Sequence, residues 1–328
     1  MPDLMTQSPI LLVGAGLMAQ AYAKVLLAQN LSIVVLGRGE VSARAFEAAC
    51  GVPVFTGELD TLLQKYQTVP HTAIVAVSAQ NLYQVSRQLL SAGCNRLLVE
   101  KPAGLTLDEV CHLSDECAQT HAEMYVAYNR RFYASTAAAR AGIIADGGPL
   151  SVKFDFTEAS RRIEVLSKPA AEFESWFFGN STHVIDLAFF LGGTPSELLG
   201  KRLGQLSWHS EGAVFTGHGK TVNNALISYH ANWLAPGRWG VEIMTRERRY
   251  VLQPMEQLFI QEHTSFSLTQ ADIDDSLDKQ FKPGLYKQVE AFLNNENDDR
   301  LLSIEEHAKL FRSYQSIRDG GFFSPDAN

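Results

Sequence analysis

The sequence predicts an α/β domain with a doubly wound parallel sheet, followed by an α+β domain with a large, mostly antiparallel sheet. Over the first 127 residues, apolar strand segments alternate regularly with helical segments. These strands are apolar at successive positions, as in a parallel sheet that is covered on both faces. After residue 128, apolar and polar residues alternate with a period of two, which is typical of antiparallel strands with one exposed face. The predicted domains are therefore 1–127 and 128–328.

The individual elements follow from local pattern. In the first domain, runs of large apolar and β-branched residues predict strands, and apolar residues spaced three and four apart predict helices. The strands are expected at 10–13, 32–36, 54–55, 72–77, 96–99 and 124–127, and the helices at 17–28, 41–50, 59–66, 81–92 and 106–120. In the second domain, strands are expected at 150–158, 198–206, 213–217, 224–233, 238–245 and 249–252, and helices at 132–145, 183–191, 285–294 and 303–317.

The first strand leads into a glycine turn with the spacing of a dinucleotide-binding site. Gly14 can adopt a positive φ, and Gly16 allows the backbone to approach a pyrophosphate. Ala19 is small enough for close packing of the next helix on the strand. The helix that follows directs its unsatisfied N–H groups and positive dipole end toward the phosphates. This context of strand, turn and helix predicts a Rossmann domain that binds a dinucleotide.

The end of the second strand indicates which dinucleotide is bound. NAD-binding domains usually carry an acidic residue there, which accepts a hydrogen bond from the ribose 2′-hydroxyl. In this chain Gly37, Arg38 and Gly39 occupy that position, and the guanidinium of Arg38 can pair with a 2′-phosphate. Glu40 could still turn toward the ribose. NADP(H) is therefore favoured over NAD(H). The other expected coenzyme contacts are Ala15, Leu17, Met18, Val77, Ser78 and Asn81.

Composition excludes several classes of protein. The formal net charge of −8, without clustered Lys and Arg, argues against a nucleic-acid partner. No apolar run reaches the roughly 20 residues of a membrane span, and the N-terminus lacks the pattern of a signal peptide. The four cysteines form no metal-binding pattern, so no metal site is expected, and scattered thiols suit the reducing cytoplasm.

Five motifs in order give the chain a resemblance to a known family. They are GAGLMA at 14–19, EKPAGLT at 100–106, YNRRF at 128–132, HVIDL at 183–187 and KPGLYKQ at 282–288. Together they resemble the Gfo/Idh/MocA oxidoreductases, which include sugar and inositol dehydrogenases. The resemblance implies hydride transfer between a nicotinamide coenzyme and a carbohydrate, polyol or sugar nucleotide. It also implies a homo-oligomer that associates through the sheet of the second domain.

The resemblance assigns roles to particular residues. Lys101, in a Lys–Pro pair that is often cis in this family, would act on the reacting oxygen, and Glu100 would contact the nicotinamide side or hold Lys101. An ammonium group stabilises a developing alkoxide and can exchange the accompanying proton. His183 would assist as an acid or base or bind a hydroxyl. The expected substrate contacts are Asn129, Arg131, Asn180 and Asp186.

Helical spacing places His183 and Asp186 on one helix face, where a histidine can also serve only as a core residue. Asn180, Ser181 or Thr182 could cap that helix. One position departs from the family pattern: many members carry an aspartate four residues before the histidine, and this chain has Gly179. One alternative is a non-catalytic NADP-binding sensor or scaffold, which Gly179 favours and the intact Lys101 and His183 oppose. A second is an NAD-assisted glycosidase, which the Arg38 loop opposes.

Overall fold

The computed structural model describes residues 9–64, 69–294 and 298–325. Its strands are β1 Ile10–Val13, β2 Ile33–Gly37, β3 Val54–Thr56, β4 Thr72–Val75, β5 Arg96–Val99, β6 Glu123–Val126, β7 Ser151–Asp155, β8 Pro195–Leu203, β9 Val214–Thr221, β10 Leu226–Asn232, β11 Gly240–Met244, β12 Arg248–Leu252, β13 Phe259–Glu262, β14 Thr269–Gln270, β15 Leu302–Ser303 and β16 Gly321–Phe323. Its α-helices are α1 Leu17–Ala28, α2 Glu40–Cys50, α3 Leu59–Leu63, α4 Ala79–Ser91, α5 Leu107–Thr120, α6 Ala134–Ala145, α7 Ser160–Ile163, α8 Ala170–Glu174, α9 Thr182–Gly192, α10 Ser276–Gln280, α11 Leu285–Leu293 and α12 Ile304–Asp319.

The first unit is built on a sheet with the order β15-β6-β5-β4-β1-β2-β3 among the described residues. Strands β1 to β6 pair in parallel, and β15 adds an antiparallel edge beside β6. The central strands are buried except at the first residues of β4 and β5, because helices cover both faces of a parallel sheet. Strand order reverses at β1, which lies between β2 and β4, and ligands of such sheets bind at the carboxyl ends beside this point.

The chain returns to this unit late in the sequence. The first unit contains residues 9–128 and 280–308, and the second contains 129–279 and 309–325. The division expected from sequence places 280–308 in the second domain. The physical reason for the difference is that α11 packs against α1, and that Arg96 of β5 donates two hydrogen bonds to the carbonyl oxygen of Phe292, 3.0 and 2.8 Å long.

The second unit is built on a sheet with the order β14-β13-β12-β11-β7-β10-β9-β8-β16 in the described part of the chain. Its pairs are antiparallel except for β7 with β10. Helices α6 and α9 pack on one face of this sheet. Its core is aromatic: Phe154 stacks on Tyr229 with ring centroids 5.5 Å apart, and Phe156 lies edge-on to Phe177. The predicted fold class of both domains is confirmed.

Several elements begin or end at residues other than those predicted from the sequence. The helix expected at 59–66 ends at Leu63, and its last two predicted residues lie outside the described ones. The helix expected at 132–145 begins at Ala134, because Asn129–Phe132 forms a 3-10 turn before it. The predicted cap on the helix of His183 is wrong. A π-helical turn, Phe177–Ser181, runs directly into α9, so no side chain caps its start.

Candidate active site

The glycine turn after β1 has the backbone that the sequence predicts for a dinucleotide cradle. Gly14 adopts φ +123°, and a Cβ atom there would lie 2.2 Å from the carbonyl oxygen of Ala76. Only glycine fits this position, for steric as well as conformational reasons. The next glycine, Gly16, precedes α1, and a Cβ atom built on it would meet nothing within 4 Å. The space in front of the helix is open.

The N-terminus of α1 completes this cradle. Gly16 occupies the cap position, and no side chain there bonds the first N–H groups of the helix. Leu17 is 84% exposed, and the neighbouring Ala15 and Ala19 are buried. Free N–H groups at a helix start, together with the positive end of the helix dipole, suit a pyrophosphate. The residues present therefore fit a dinucleotide, which they would hold at Gly14 to Met18.

The loop after β2 is open to solvent around Arg38. Gly37 is buried at the strand end, whereas Arg38 and Gly39 are exposed. Glu40 is the nearest acidic residue in sequence, and its Oε1 accepts a 2.6 Å hydrogen bond from the hydroxyl group of Thr56 on β3. The Glu40 carboxylate, which could otherwise accept a hydrogen bond from the ribose 2′-hydroxyl, is thus hydrogen-bonded to β3.

The loop after β4 carries three of the expected coenzyme contacts. Val77 is half-buried and Ser78 is exposed at the start of α4. Asn81 Nδ2 donates a 2.7 Å hydrogen bond to Ser78 Oγ, and Asn81 N donates to the carbonyl oxygen of Ser78. These contacts fix the loop at the carboxyl edge of the sheet. This loop also lies beside the Gly14 turn, because Ala76 N donates a 2.8 Å hydrogen bond to the carbonyl oxygen of Val13.

Lys101 follows β5 and lies in a cluster of charged groups in the first unit. Its neighbour Glu100 accepts a 2.8 Å hydrogen bond from the hydroxyl group of Tyr22, which projects from α1 and is fully buried. Burial raises the pKa of Glu100, while the charges of Lys101 and Lys282 and the bond from Tyr22 oppose that rise. Burial together with the Glu100 charge raises the pKa of the Tyr22 hydroxyl. Tyr22 is an addition that the sequence pattern did not single out, and Lys282 opens the KPGLYKQ motif, to which the sequence analysis gave no role at this site.

The Lys101–Pro102 peptide bond is cis, as the family resemblance implies. The carbonyl oxygen of Pro102 accepts a 2.9 Å hydrogen bond from Nε2 of His307, which is fully buried in the first turn of α12. Because a carbonyl oxygen only accepts, this ring nitrogen carries the proton. The Tyr128 ring lies beside the imidazole, with centroids 5.7 Å apart. His307 therefore positions the loop that carries Lys101.

His183 lies in the second unit, near the start of α9, and is 7% exposed. Its ring centroid is 6.4 Å from that of Trp239. The guanidinium of Arg130 lies 5.0 Å from the centre of the same indole. His183 thus belongs to a partly aromatic cluster rather than to the purely apolar core of the unit.

Two of the expected substrate contacts bond each other. Arg131 donates two hydrogen bonds to Asp186, Nε to Oδ2 at 2.8 Å and Nη2 to Oδ1 at 2.6 Å. The hydroxyl group of Tyr314 donates to Asp186 Oδ1 at 3.2 Å. Asp186 is fully buried, and Arg131 is 6% exposed. This buried bidentate pair joins the 3-10 turn before α6 to the middle of α9.

The other two expected substrate contacts lie in different settings. Asn129 is 5% exposed at the start of the 3-10 turn. The amide of Asn180 points to Glu158, a buried carboxylate that sequence reasoning placed at the end of a predicted strand and did not single out. The signal available was an acidic residue directly after the alternating apolar run of β7. Among the described residues, no group of three or more His, Cys, Asp or Glu side chains could hold a metal ion.

Residues 9–128 match the family model described as the oxidoreductase family Gfo/Idh/MocA, NAD-binding Rossmann fold. This chain carries the Rossmann domain of the Gfo/Idh/MocA oxidoreductases. The family predicted from the motifs is confirmed, and with it the assignment to NAD-binding oxidoreductases.

Solved structures share the fold over nearly the whole chain. A levoglucosan dehydrogenase in complex with NADH is 16% identical, with a TM-score of 0.80 and coverage of 98% of this chain and 100% of that one. An oxidoreductase from Agrobacterium radiobacter in complex with NAD+, L-tartaric acid and magnesium is 13% identical, with a TM-score of 0.79 and coverage of 98% and 99%. A UDP-N-acetylglucosamine 3-dehydrogenase from Acidithiobacillus ferrooxidans is 16% identical, with a TM-score of 0.73 and coverage of 96% and 97%. A search of curated proteins finds no match. No helix among the described residues has both the length and the apolar character needed to cross a bilayer.

Proposed function

We propose that this Gfo/Idh/MocA protein transfers a hydride between a nicotinamide coenzyme and a carbohydrate, polyol or sugar nucleotide. The observation that carries the proposal is the Gly14 turn at the open N-terminus of α1, in the same unit as the charged cluster around Lys101. When bound, the coenzyme would supply the hydride acceptor or donor. Levoglucosan and UDP-N-acetylglucosamine, which name two structural neighbours, belong to the proposed substrate class.

Lys101 is the residue proposed to act on the reacting oxygen. Its ammonium group lies beside the Glu100 carboxylate, which the buried Tyr22 hydroxyl also bonds. These contacts hold a cation in a fixed place, where it can stabilise an alkoxide without rearrangement during the reaction. The ammonium form can donate a proton to the oxygen in the reductive direction, and the neutral amine form can accept that proton in the oxidative one. His183 is proposed to assist by binding a substrate hydroxyl or exchanging its proton.

NADP(H) is proposed as the preferred coenzyme. The exposed Arg38 stands between two glycines at the end of β2, and Glu40 is engaged by Thr56. A guanidinium pairs well with a phosphate dianion, whereas the ribose 2′-hydroxyl of NAD(H) offers it little. The cation at this edge of the sheet therefore favours the coenzyme that carries the additional phosphate.

A thermal-shift comparison tests the coenzyme preference. NADP+ should raise the melting temperature of the protein more than NAD+ at equal concentration, because ligands that bind the folded state stabilise it. Arg38→Ala should abolish that difference. Arg44→Ala, which removes an exposed arginine from α2 in the same unit, is the matched control and should preserve it. Equal stabilisation by both coenzymes in the unaltered protein would contradict the preference for NADP(H).

Hydride transfer is tested with a panel of free and nucleotide-linked sugars and polyols, followed by the absorbance of the reduced nicotinamide. At least one compound should be oxidised or reduced, and Lys101→Met should remove nearly all turnover while preserving the thermal shift by coenzyme. Coenzyme binding without turnover across the whole panel would favour the sensor or scaffold instead. Near-normal turnover in Lys101→Met would refute the role of Lys101.

Self-association through the second unit is also proposed. Leu199, Leu203, Leu226 and Phe322 are 45 to 74% exposed, and alternation along the paired strands places them on one face of the sheet. A set of exposed apolar side chains on a sheet face suits burial against a second copy of the chain. Light scattering should give an oligomeric mass, and Leu199→Lys should lower it.

The four cysteines, all within the described residues, are free thiols, which supports a cytoplasmic location.

A further inference from the structure

Within the first unit, a buried side chain of helix α1 reaches the end of β5. Tyr22 lies in the second turn of α1 and is fully buried. Its hydroxyl group donates a 2.8 Å hydrogen bond to Oε1 of Glu100, the residue that follows β5 and lies 78 positions further along the chain. The N-terminus of the same helix forms the coenzyme cradle. This bond therefore connects the coenzyme-binding helix with the loop that carries Lys101.

The backbone of that loop is fixed on both sides of Glu100. Glu100 N donates a 2.9 Å hydrogen bond to the carbonyl oxygen of Val75, at the end of β4. The carbonyl oxygen of Glu100 accepts a 3.0 Å hydrogen bond from Ala103 N. These two bonds fix where the side chain of Glu100 begins, and the bond from Tyr22 fixes where its carboxylate ends. The carboxylate next to Lys101 thus has a defined position.

The charge on this carboxylate depends on its neighbours. In the described part of the first unit, groups from three elements face it: Tyr22 from α1, Lys101 from its own loop and Lys282 from the segment before α11. Burial raises the pKa of Glu100 and so favours the neutral acid. The charges of the two lysines and the bond from Tyr22 lower it, and Tyr22 contributes more than Lys282. Tyr22 therefore helps to keep Glu100 ionised.

Tyr22 does this without adding a charge. Burial raises the pKa of its hydroxyl well above the ordinary value of 10, and the charge of Glu100 raises it further. The phenol therefore keeps its proton and remains a donor to a carboxylate, which when ionised can only accept. A cation at position 22 would also stabilise the carboxylate, but it would repel the ammonium group of Lys101. A neutral donor leaves the negative charge of Glu100 available to that ammonium group.

We propose that Tyr22 is a positioning residue, which holds an ionised carboxylate beside the ammonium group of Lys101 and ties it to the helix of the coenzyme cradle. Because Tyr22 is fully buried, it acts through Glu100 rather than by contact with a substrate. A charge that is held in place before the reaction needs no rearrangement during it. The inference rests on the proposed function, since the charge beside Lys101 matters to turnover only if Lys101 acts on the reacting oxygen.

The first experiment needs no substrate and no coenzyme. Carbon-13 NMR of labelled glutamate side-chain carboxyl groups identifies Glu100 as the signal that is absent in Glu100→Gln. The midpoint of its titration should lie about one pH unit higher in Tyr22→Phe than in the unaltered protein, because the carboxylate loses its donor. Phenylalanine keeps the buried ring, so only the hydroxyl group is removed. Lys282→Met should raise the midpoint by a smaller amount.

Two matched controls come from the same unit. Tyr83→Phe removes a hydroxyl group that bonds His112, and Lys287→Met removes an ammonium group that bonds Glu290. Both variants should leave the midpoint of Glu100 unchanged. An unchanged midpoint in Tyr22→Phe, or a shift of the same size in the control Tyr83→Phe, would overturn the proposal.

The second experiment measures kcat and KM against pH, in the reductive direction, with a compound that the panel has identified as a substrate. In the unaltered protein kcat should fall on the acid side as Glu100 becomes protonated. Tyr22→Phe should move this fall up by about one pH unit, so that kcat on the acid side is roughly ten-fold lower at equal pH, while kcat on the plateau and KM change by less than about two-fold. In the Glu100→Gln background, Tyr22→Phe should cause no further loss, because it acts through that carboxylate.

The outcomes separate this inference from the proposed function. Turnover in the unaltered protein with the same pH profile in Tyr22→Phe would overturn the role of Tyr22 and leave hydride transfer standing. An equal loss of kcat at every pH would show a contribution to packing alone and would also overturn the role. Absence of turnover with every compound of the panel would defeat the proposed function, and this inference with it.

Discussion

Replacement of Glu158 by glutamine should flatten the dependence of unfolding free energy on pH in the second unit. The folded protein holds the Glu158 proton up to about pH 7, whereas the unfolded chain releases it near the ordinary pKa of 4.5. Below pH 4.5 both states are protonated, so the group contributes no pH dependence. Between 4.5 and 7 unfolding releases a proton, so a rising pH favours the unfolded chain.

The size of the effect follows from the two pKa values. Each pKa difference of one between the folded and the unfolded state changes the free energy of unfolding by ~1.4 kcal/mol. A midpoint near 7 in the folded protein instead of 4.5 therefore removes about 3 kcal/mol of stability above pH 7, and most of this loss occurs between pH 5 and 7. Glutamine keeps the shape and an acceptor oxygen for Ser181, whose hydroxyl group donates to Glu158 Oε1 at 2.8 Å. Asn180 can turn its amide to accept from the new NH2 group, so the bonds are retained while the ionisation is lost.

Urea unfolding at pH 5 and pH 8 measures this contribution. All four tryptophans, Trp176, Trp208, Trp233 and Trp239, lie in the second unit, so their fluorescence reports its unfolding rather than that of the first. The loss of stability from pH 5 to pH 8 should be about 2.5 kcal/mol greater in the unaltered protein than in Glu158→Gln, because a smaller part of the whole effect is already present at pH 5. The reasoning is refuted if both proteins lose the same amount, because no other group differs between them.

Three further predictions concern Arg131, Gly14 and His307. Arg131→Met leaves the buried carboxylate of Asp186 without its cation and should destabilise the second unit by ~3–5 kcal/mol in urea unfolding. The double variant Arg131→Met with Asp186→Leu should lose less stability, because no charge is then left buried. Equal losses in the two variants would contradict the buried ion pair. Gly14→Ala should abolish the thermal shift by NADP+ and destabilise the first unit, since its Cβ meets a carbonyl oxygen at 2.2 Å, while Gly16→Ala should keep the stability and weaken coenzyme binding only. His307→Ala should lower the free energy of unfolding by about 1–3 kcal/mol and should lower kcat more than it raises KM, because the carbonyl oxygen of Pro102 loses its donor. His307→Gln should restore both. Full activity in His307→Ala would show that the loop of Lys101 does not need this hydrogen bond.

Sequence reasoning works best for the first unit, and for a physical reason. Its strands are buried on both faces, so their apolar runs stand out, and the Gly14 turn between strand and helix is a local pattern. The position of Lys101 at the end of β5 follows from counting strands along the chain. Each of these inferences depends on residues that are close together in sequence.

Two of the features that sequence reasoning missed depend on residues far apart in the chain. Arg131 and Asp186, 55 residues apart, were expected to meet a substrate, and the structure shows that they bond each other. Glu158 lies 22 residues from Asn180, and the alternation of buried side chains along β7 does not show which groups its carboxylate bonds. The cap predicted for α9 was wrong because the backbone before it is already helical, which leaves the hydroxyl group of Thr182 to bond the carbonyl oxygen of Phe178. Burial and pairing of this kind become visible only when the chain is folded.

The return of residues 280–308 to the first unit has a consequence for biosynthesis. Until that segment has left the ribosome, β6 forms an unpaired edge of the parallel sheet, and α1 lacks its packing partner α11. An open strand edge is a template for pairing with other nascent chains. The coenzyme domain is therefore encoded first but completed late, and a fragment that stops at Tyr128 should aggregate where the full-length polypeptide does not.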